Sequence, residues 1–279
     1  MKLIYSMIAM FILAQVLGVF VGATILKDMN SNPYVSGLVV TTNANDIGNA
    51  AFFILYILFG AVVMILMMRY LKSLGMLFKL LEFFLISTSS SIVFYAFFRL
   101  FLGFGESTLF GIIVALVFSG LRFHFPQMKN FAAIFATAGV GTIFGISMGI
   151  LPLLVFLILL SVYDFLSVFA TKHMVEMAEF IVKKDMAFTI TARAPPAKPG
   201  GKEQRIDLGT GDMIAPIMLE VSALTFSPVA SVCIFVGAIV SMALFLTLVF
   251  KKKMVLPALP PIVLGMIVGL LAGFLLGLY

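Results

Sequence analysis

Leu151-Pro152-Leu153-Leu154-Val155-Phe156-Leu157-Ile158-Leu159-Leu160-Ser161-Val162-Tyr163-Asp164-Phe165-Leu166-Ser167-Val168-Phe169-Ala170 is a run of twenty residues with a single charge. Wound as a helix rising about 1.5 Å per residue, it covers roughly 30 Å, the thickness of bilayer hydrocarbon. The apolar residues are continuous rather than alternating. A backbone in lipid must satisfy its own N–H and C=O groups, so a continuous run of this kind reads as a helix and not as a barrel strand. Asp164 is the exception within it. A carboxylate in hydrocarbon costs roughly 2.5–3.5 kcal/mol on insertion scales, so its presence asks for a reason.

The same texture runs through the chain, which has 279 residues, 62% hydrophobic and 11% charged. A water-soluble core of this size carries far more charge. Apolar runs at 3–26, 49–70, 80–101, 107–121, 131–149, 150–171, 209–226, 227–250 and 255–278 predict an all-α polytopic membrane protein with nine transmembrane helices. It is expected to be one membrane domain over 1–279, with spans one to six in 1–171, a loop in 172–208 and spans seven to nine in 209–279. Met1-Lys2 and the apolar run that follows exceed a signal-peptide core and show no cleavage site, so they read as the first span. Met148-Gly149-Ile150-Leu151-Pro152 reads as a tight turn between the fifth and sixth spans.

Charge placement sets the sides. Sixteen of the eighteen basic residues fall at the N-terminus and in the second, fourth, sixth and eighth connections, leaving only Lys27 and Arg99 on the other face. Short loops rich in Lys and Arg stay in the cytoplasm. The N-terminus is therefore expected inside and the C-terminus outside. The net charge of +6 is spread over these loops and forms no arginine-rich, aromatic-interleaved surface, which argues against a nucleic-acid partner. Cys233 is the one cysteine and reads as a small packing residue. His124 and His173 lie far apart in the sequence, and neither a metal centre nor a cofactor is expected.

The 172–208 loop has its own pattern. Met174–Lys184 is amphipathic and suits an interfacial helix. Residues 187–191 and 205–208 have strand character. Ala194–Gly201, rich in proline and glycine, reads as a flexible linker.

A second acid, Asp212, follows in Gly209-Thr210-Gly211-Asp212 at the head of the seventh run. Asp164 lies eight residues before Lys172, about 12 Å from the cytoplasmic helix end, and Asp212 starts a helix returning from that side. Adjacent antiparallel helices bring the two to similar depth. Two carboxylates within hydrogen-bonding distance share a proton, and a water held between them can attack a carbonyl. Glycine at 209 and 211 permits positive φ and close backbone approach. A helix starting at Asp212 would leave free N–H groups beside a substrate carbonyl. An Asp after Gly is also a common helix cap, and a buried Asp also serves interhelical hydrogen bonds. Pro257-Ala258-Leu259-Pro260-Pro261 opens the last span, where such dense proline resists regular helix and keeps the backbone open. Glu220, about 80° around the helix from Asp212, reads as structural.

Tyr163-Asp164 in the sixth span, Gly209-Thr210-Gly211-Asp212 in the seventh and Pro257-Ala258-Leu259 before the ninth resemble the presenilin and signal peptide peptidase family of intramembrane aspartyl proteases. The resemblance covers the whole chain. It implies that Asp164 and Asp212 are the catalytic pair, that Tyr163, Gly209, Thr210 and Gly211 shape the site, and that Pro257, Ala258 and Leu259 lie against it and position substrate. It also implies a hydrolase cutting transmembrane helices inside the bilayer. With the N-terminus inside, the chain looks like presenilin, so its substrates would be type I single-span proteins. Its compact form looks prokaryotic, most similar to an archaeal homologue in a cell membrane, working among lipids without accessory subunits. Homo-oligomerisation is left open, and the strand-prone loop pieces are expected to pair with an extended substrate segment.

Three other readings fit parts of the pattern. An ion-coupled transporter or cation leak also uses buried carboxylates and broken helices, but no inverted repeat is present. A prepilin-peptidase-like enzyme shares the Gly-x-Gly-Asp element, though its acids sit nearer the cytosol and Pro257-Ala258-Leu259 favours presenilin. A scaffold leaves the aspartates unexplained.

Overall fold

The computed structural model describes residues 2–70, 75–170, 173–194, 204–252 and 256–279. It is mostly helical. The elements are α1 (Lys2–Met29), the single turn α2 (Pro33–Ser36), α3 (Gly48–Tyr70), α4 (Gly75–Phe98), α5 (Phe104–His124), α6 (Lys129–Ser147), α7 (Ile150–Phe169), α8 (His173–Lys183), β1 (Thr189–Ala194), β2 (Gln204–Gly209), α9 (Thr210–Leu224), α10 (Pro228–Lys252) and α11 (Leu259–Leu275). Among the described residues, seven helices are long and apolar enough to cross a membrane: α1, α3, α4, α5, α7, α10, and α6 with the turn before it. The linker expected at 194–201 falls, beyond Ala194, outside the described residues.

The seventh and ninth runs form shorter helices than their apolar lengths suggest. With 15 residues, α9 is about 22 Å long. It is buried without interruption from Ala215 to Ala223, enclosed by α1, α6, α7, α10 and α11. Its surroundings are protein rather than lipid, so bilayer thickness does not dictate its length. By contrast α3 buries only Ala50 and Phe53.

Glycines set how closely α9 is held. Gly18 and Gly22 of α1 face Ile217 and Val221, and Gly141 and Gly145 of α6 face the same two side chains from the other side. A Cβ on Gly22 would meet Val221 Cγ2 at 2.6 Å, and one on Gly141 would meet Ile217 Cγ2 at 2.6 Å. Both stripes are small-xxx-small patterns, which let helix backbones approach closely where lipid supplies no hydrophobic drive between helices. The Thr142 hydroxyl donates to the Gly18 carbonyl at 3.1 Å and reinforces the α1–α6 contact. Cys233 packs as a small side chain in the close α10–α11 seam, its Sγ 2.7 Å from where a Cβ on Gly273 would sit.

The strand-prone pieces pair with each other. β1 and β2 form an antiparallel ribbon with Thr189 opposite Gly209 and Ala194 opposite Gln204. The expectation that they wait for a substrate strand therefore needs revision: each already has one partner. Asn130 occupies the outer edge of β1, its amide donating to Thr191 O at 2.9 Å and its carbonyl oxygen accepting from Thr191 N at 3.0 Å. Amphipathic α8 docks on α4 through Phe180 and Phe78, with ring centroids 5.1 Å apart.

Buried ion pairs tie the ends together. Asp28 accepts from the Tyr95 hydroxyl at 2.6 Å and from Arg99 Nε at 2.8 Å, joining α1 to the end of α4. At the end that carries the ribbon, Glu82 accepts from the Ala187 amide at 2.8 Å and lies 3.4 Å from Arg122, whose guanidinium also donates to the Asp185 carbonyl.

Candidate active site

Asp164 stands on α7, little more than a turn from its end, and is 7% exposed. Asp212 lies in the first turn of α9 and is half-buried. Since α7 packs against both α9 and α11, the two acids face a common interior. They are close enough for one carboxylate to act electrostatically on the other. Asp164 also receives a hydrogen bond from the backbone N–H of Leu259. That N–H belongs to the first residue of α11, which has no intrahelical acceptor of its own. The start of α11 thus meets α7 at this carboxylate, and α9 brings Asp212 within electrostatic reach of it. Asp164 Oδ2 is buried without a hydrogen-bond partner among the described residues.

The approach to Asp212 is built by the ribbon. β2 ends at Gly209, and the backbone N–H and the hydroxyl of Thr210 both donate to Phe188 O at 3.1 Å, just before β1. Thr210 is therefore an anchor that fixes where α9 begins. Two expectations about this turn are corrected. The helix starts at Thr210 rather than at Asp212, with Gly209 as its cap. Gly209 has φ −65 and ψ 142, a backbone any residue adopts, so positive φ is not the reason for glycine there. A Cβ on Gly209 would sit 3.4 Å from Asp212 Oδ2, which shows the carboxylate folded back over the cap. Gly211 is exposed, and a Cβ there would meet nothing within 4 Å.

The proline cluster is also clarified. Pro257 and Ala258 are buried and non-helical, as an open backbone predicts. Pro260 and Pro261, however, are taken into the first turn of α11, where a missing N–H costs nothing. Tyr163 is half-buried beside Asp164.

Sequence reasoning missed Pro216, the proline inside α9. A residue four positions on would normally donate its N–H to the Asp212 carbonyl, and proline has none. The Asp212 carbonyl therefore lacks its helical partner, right beside the carboxylate. The spacing of four was legible in the chain. The role of Phe188 was not, because only the fold brings its carbonyl to Thr210.

Among the described residues no group of three or more His, Cys, Asp or Glu side chains could hold a metal ion. The two carboxylates act on each other through charge and make no direct hydrogen bond, an arrangement in which a water molecule between them can be polarised by both. Glu220 lies away from this arrangement, fully buried, with both carboxyl oxygens unpartnered among the described residues.

The family model for signal-peptide peptidase, presenilin aspartyl protease matches residues 8–278. Among solved structures, the chain is similar to a presenilin family intramembrane aspartate protease in a C222 crystal form, with TM-score 0.66, 24% identity, and coverage of 98% of this chain and 97% of that one. The likeness to such a protease in a P2 crystal form has TM-score 0.68 and 26% identity, with 97% of each chain covered. No curated protein matches the chain in sequence.

Proposed function

Because this chain belongs to the signal peptide peptidase and presenilin family of intramembrane aspartyl proteases, we propose that Asp164 and Asp212 are the pair that performs its peptide hydrolysis. The observation that carries this reading is the meeting of the two acids on packed helices, with the Leu259 N–H on one of them. One carboxylate takes a proton from water as the water attacks a substrate carbonyl, and the other protonates the carbonyl oxygen. The gem-diol then collapses, a proton passes to the leaving amine, and no covalent enzyme intermediate forms. Tyr163 and the Gly209–Gly211 turn shape the pocket. Pro257, Ala258 and Leu259 hold Asp164 and border the substrate. The open space over Gly211 leaves room for a substrate backbone.

We also propose that the chain is one membrane domain crossing nine times, with α9 and α11 as its short, protein-enclosed spans. The N-terminus then lies in the cytoplasm. The charge asymmetry supports this, and of the two basic residues on the opposite face, Arg99 is neutralised by Asp28. Substrates are then type I single-span proteins, cut without accessory subunits. β2 is the ribbon strand whose outer edge can accept an unwound substrate segment, since Asn130 covers β1.

The test is cleavage of a purified single-span substrate by the parent, Asp164→Asn and Asp212→Asn, with and without a transition-state analogue of aspartyl proteases. Both variants should lose turnover while remaining folded. Turnover that persists in either one overturns the assignment, and ion flux lost on the same substitutions would point to transport.

A further inference from the structure

A second polar enclosure lies apart from the aspartates, at the end of the bundle that carries the ribbon. It is a cavity of about 430 Å³ lined by Gln127, Lys129, Asn130, Asp185, Thr191 and Arg193. Three other cavities in the molecule are lined by apolar, hydroxyl and backbone groups and hold no charge. This one therefore differs in chemistry, not only in position.

Lys129 is its unusual member. The residue is 4% exposed, and a buried ammonium needs partners for its charge. It has two, Asp185 Oδ1 at 3.3 Å and Thr191 Oγ1 at 3.4 Å, both at the long end of the hydrogen-bond range. An ammonium has three donors, and among the described residues the third has no protein acceptor. Asn130 is spent on the backbone of Thr191. Gln127 and Arg193 are exposed at the rim and make no hydrogen bond or ion pair with the described residues. Lys129 and Arg193 thus line the cavity with one carboxylate, Asp185, already engaged by Lys129. A second, Asp207, stands behind Thr191, whose hydroxyl donates to it at 2.6 Å, and is neutralised by Arg205 at 2.6 Å. Lys129 also opens α6, a helix whose first turn has no acid and no side-chain cap, so the positive end of its dipole points the same way. A divalent cation needs several oxygen ligands and finds one carboxylate here. An anion finds an ammonium, a forked guanidinium and a neutral amide donor.

Position narrows the source. Ser6 of α1 also lines the cavity, and α1, α5 and α6 are among the helices fit to cross the membrane. Their ends lie at headgroup level. We propose that this cavity is a phosphate-anion site, filled by the phosphodiester headgroup of an anionic lipid. A bound headgroup bridges Lys129 on α6 and Arg193 on β1, and so tightens the strand whose partner leads into Gly209. The site stands apart from the proteolytic assignment and is tested by binding alone.

The protein in an uncharged detergent is titrated with short-chain phosphatidylglycerol, short-chain phosphatidylcholine, inorganic phosphate, and chloride at matched ionic strength, and thermal unfolding is followed. Phosphatidylglycerol should raise the midpoint in a saturable way, with phosphatidylcholine and chloride inert. Gln127→Glu and Arg193→Gln change exposed side chains outside the aspartate site. Each should weaken the phosphatidylglycerol response about tenfold while leaving the lipid-free midpoint and basal cleavage in place. A saturable response to inorganic phosphate alone, abolished by Gln127→Glu, supports the anion site and assigns it to a soluble source. Equal responses to phosphatidylglycerol, phosphatidylcholine and chloride, or an unchanged titration in Gln127→Glu, overturn the proposal.

Discussion

Pro216→Ala is expected to give a more stable and slower enzyme. Proline within a helix is about 3 kcal/mol less favourable than alanine, through the missing N–H and the clash of its ring with the carbonyl four residues back. Here that carbonyl belongs to Asp212. Alanine restores the N–H and closes the helical hydrogen bond. Pro216 is also buried, so the change removes two packed methylenes at about 0.8 kcal/mol each. The difference is a net gain of about 1–2 kcal/mol. The Asp212 carbonyl, no longer free, loses its capacity to accept from water or substrate, and the first turn of α9 straightens beneath the carboxylate. Turnover should therefore fall several-fold with a smaller change in KM. Reversible unfolding in mixed micelles and steady-state cleavage of a single-span substrate measure the two effects separately. A variant that is more stable but cleaves at the parental rate would refute the link between the free carbonyl and catalysis. A variant less stable than the parent would refute the helix arithmetic itself.

Gly18→Ala pushes a methyl into Ile217, costing about 1–3 kcal/mol of overpacking less about 1 kcal/mol of helix propensity, and Ile217→Ala costs about 2–5 kcal/mol. The double variant should recover at least about 0.5 kcal/mol relative to their sum in the same unfolding assay, and strict additivity would show that the two do not touch. Ile206→Pro removes the β2 donor that faces Ala192 across the ribbon and should lower cleavage by loosening the strand that leads into Gly209; unchanged cleavage would show that the ribbon does not set the approach to Asp212. Glu220→Met should raise stability by about 1–3 kcal/mol, because both buried carboxyl oxygens lack partners, and a loss of stability would disclose an acceptor for its proton. Asp28→Asn should lower the unfolding midpoint by the equivalent of about 1–2 kcal/mol, since Tyr95 and Arg99 lose a charged acceptor.

Much of the protein is legible in the chain itself. Continuous apolar runs and the near-exclusive placement of Lys and Arg in alternate connections are local chemical facts, and lipid allows them one structural answer: helices with satisfied backbones. The turn at Gly149, the amphipathic helix after Lys172 and the open backbone at Pro257 follow from the same local rules. The aspartates announced themselves because a charge in hydrocarbon has to be explained. Glycine stripes at 18/22 and 141/145 and the proline four residues after Asp212 were equally present in the chain, and went unread.

What tertiary structure decided is everything that depends on which groups meet. The strand-prone segments could have paired with another chain, and only the fold joins Thr189 to Gly209 and turns Thr210 toward Phe188. Positive φ does not explain the glycine at 209, whose backbone is one any residue adopts. The length of α9 was misjudged because hydropathy cannot tell a helix surrounded by protein from one surrounded by lipid. The Leu259 N–H reaches Asp164 because the unpaired donors at a helix start are aimed by packing, not by composition. Sequence determined the solvent this protein lives in and the residues too costly to be idle there. Tertiary structure decided their neighbours, because hydrogen bonds and charge interactions act over a few ångströms while the chain separates those residues by whole membrane spans.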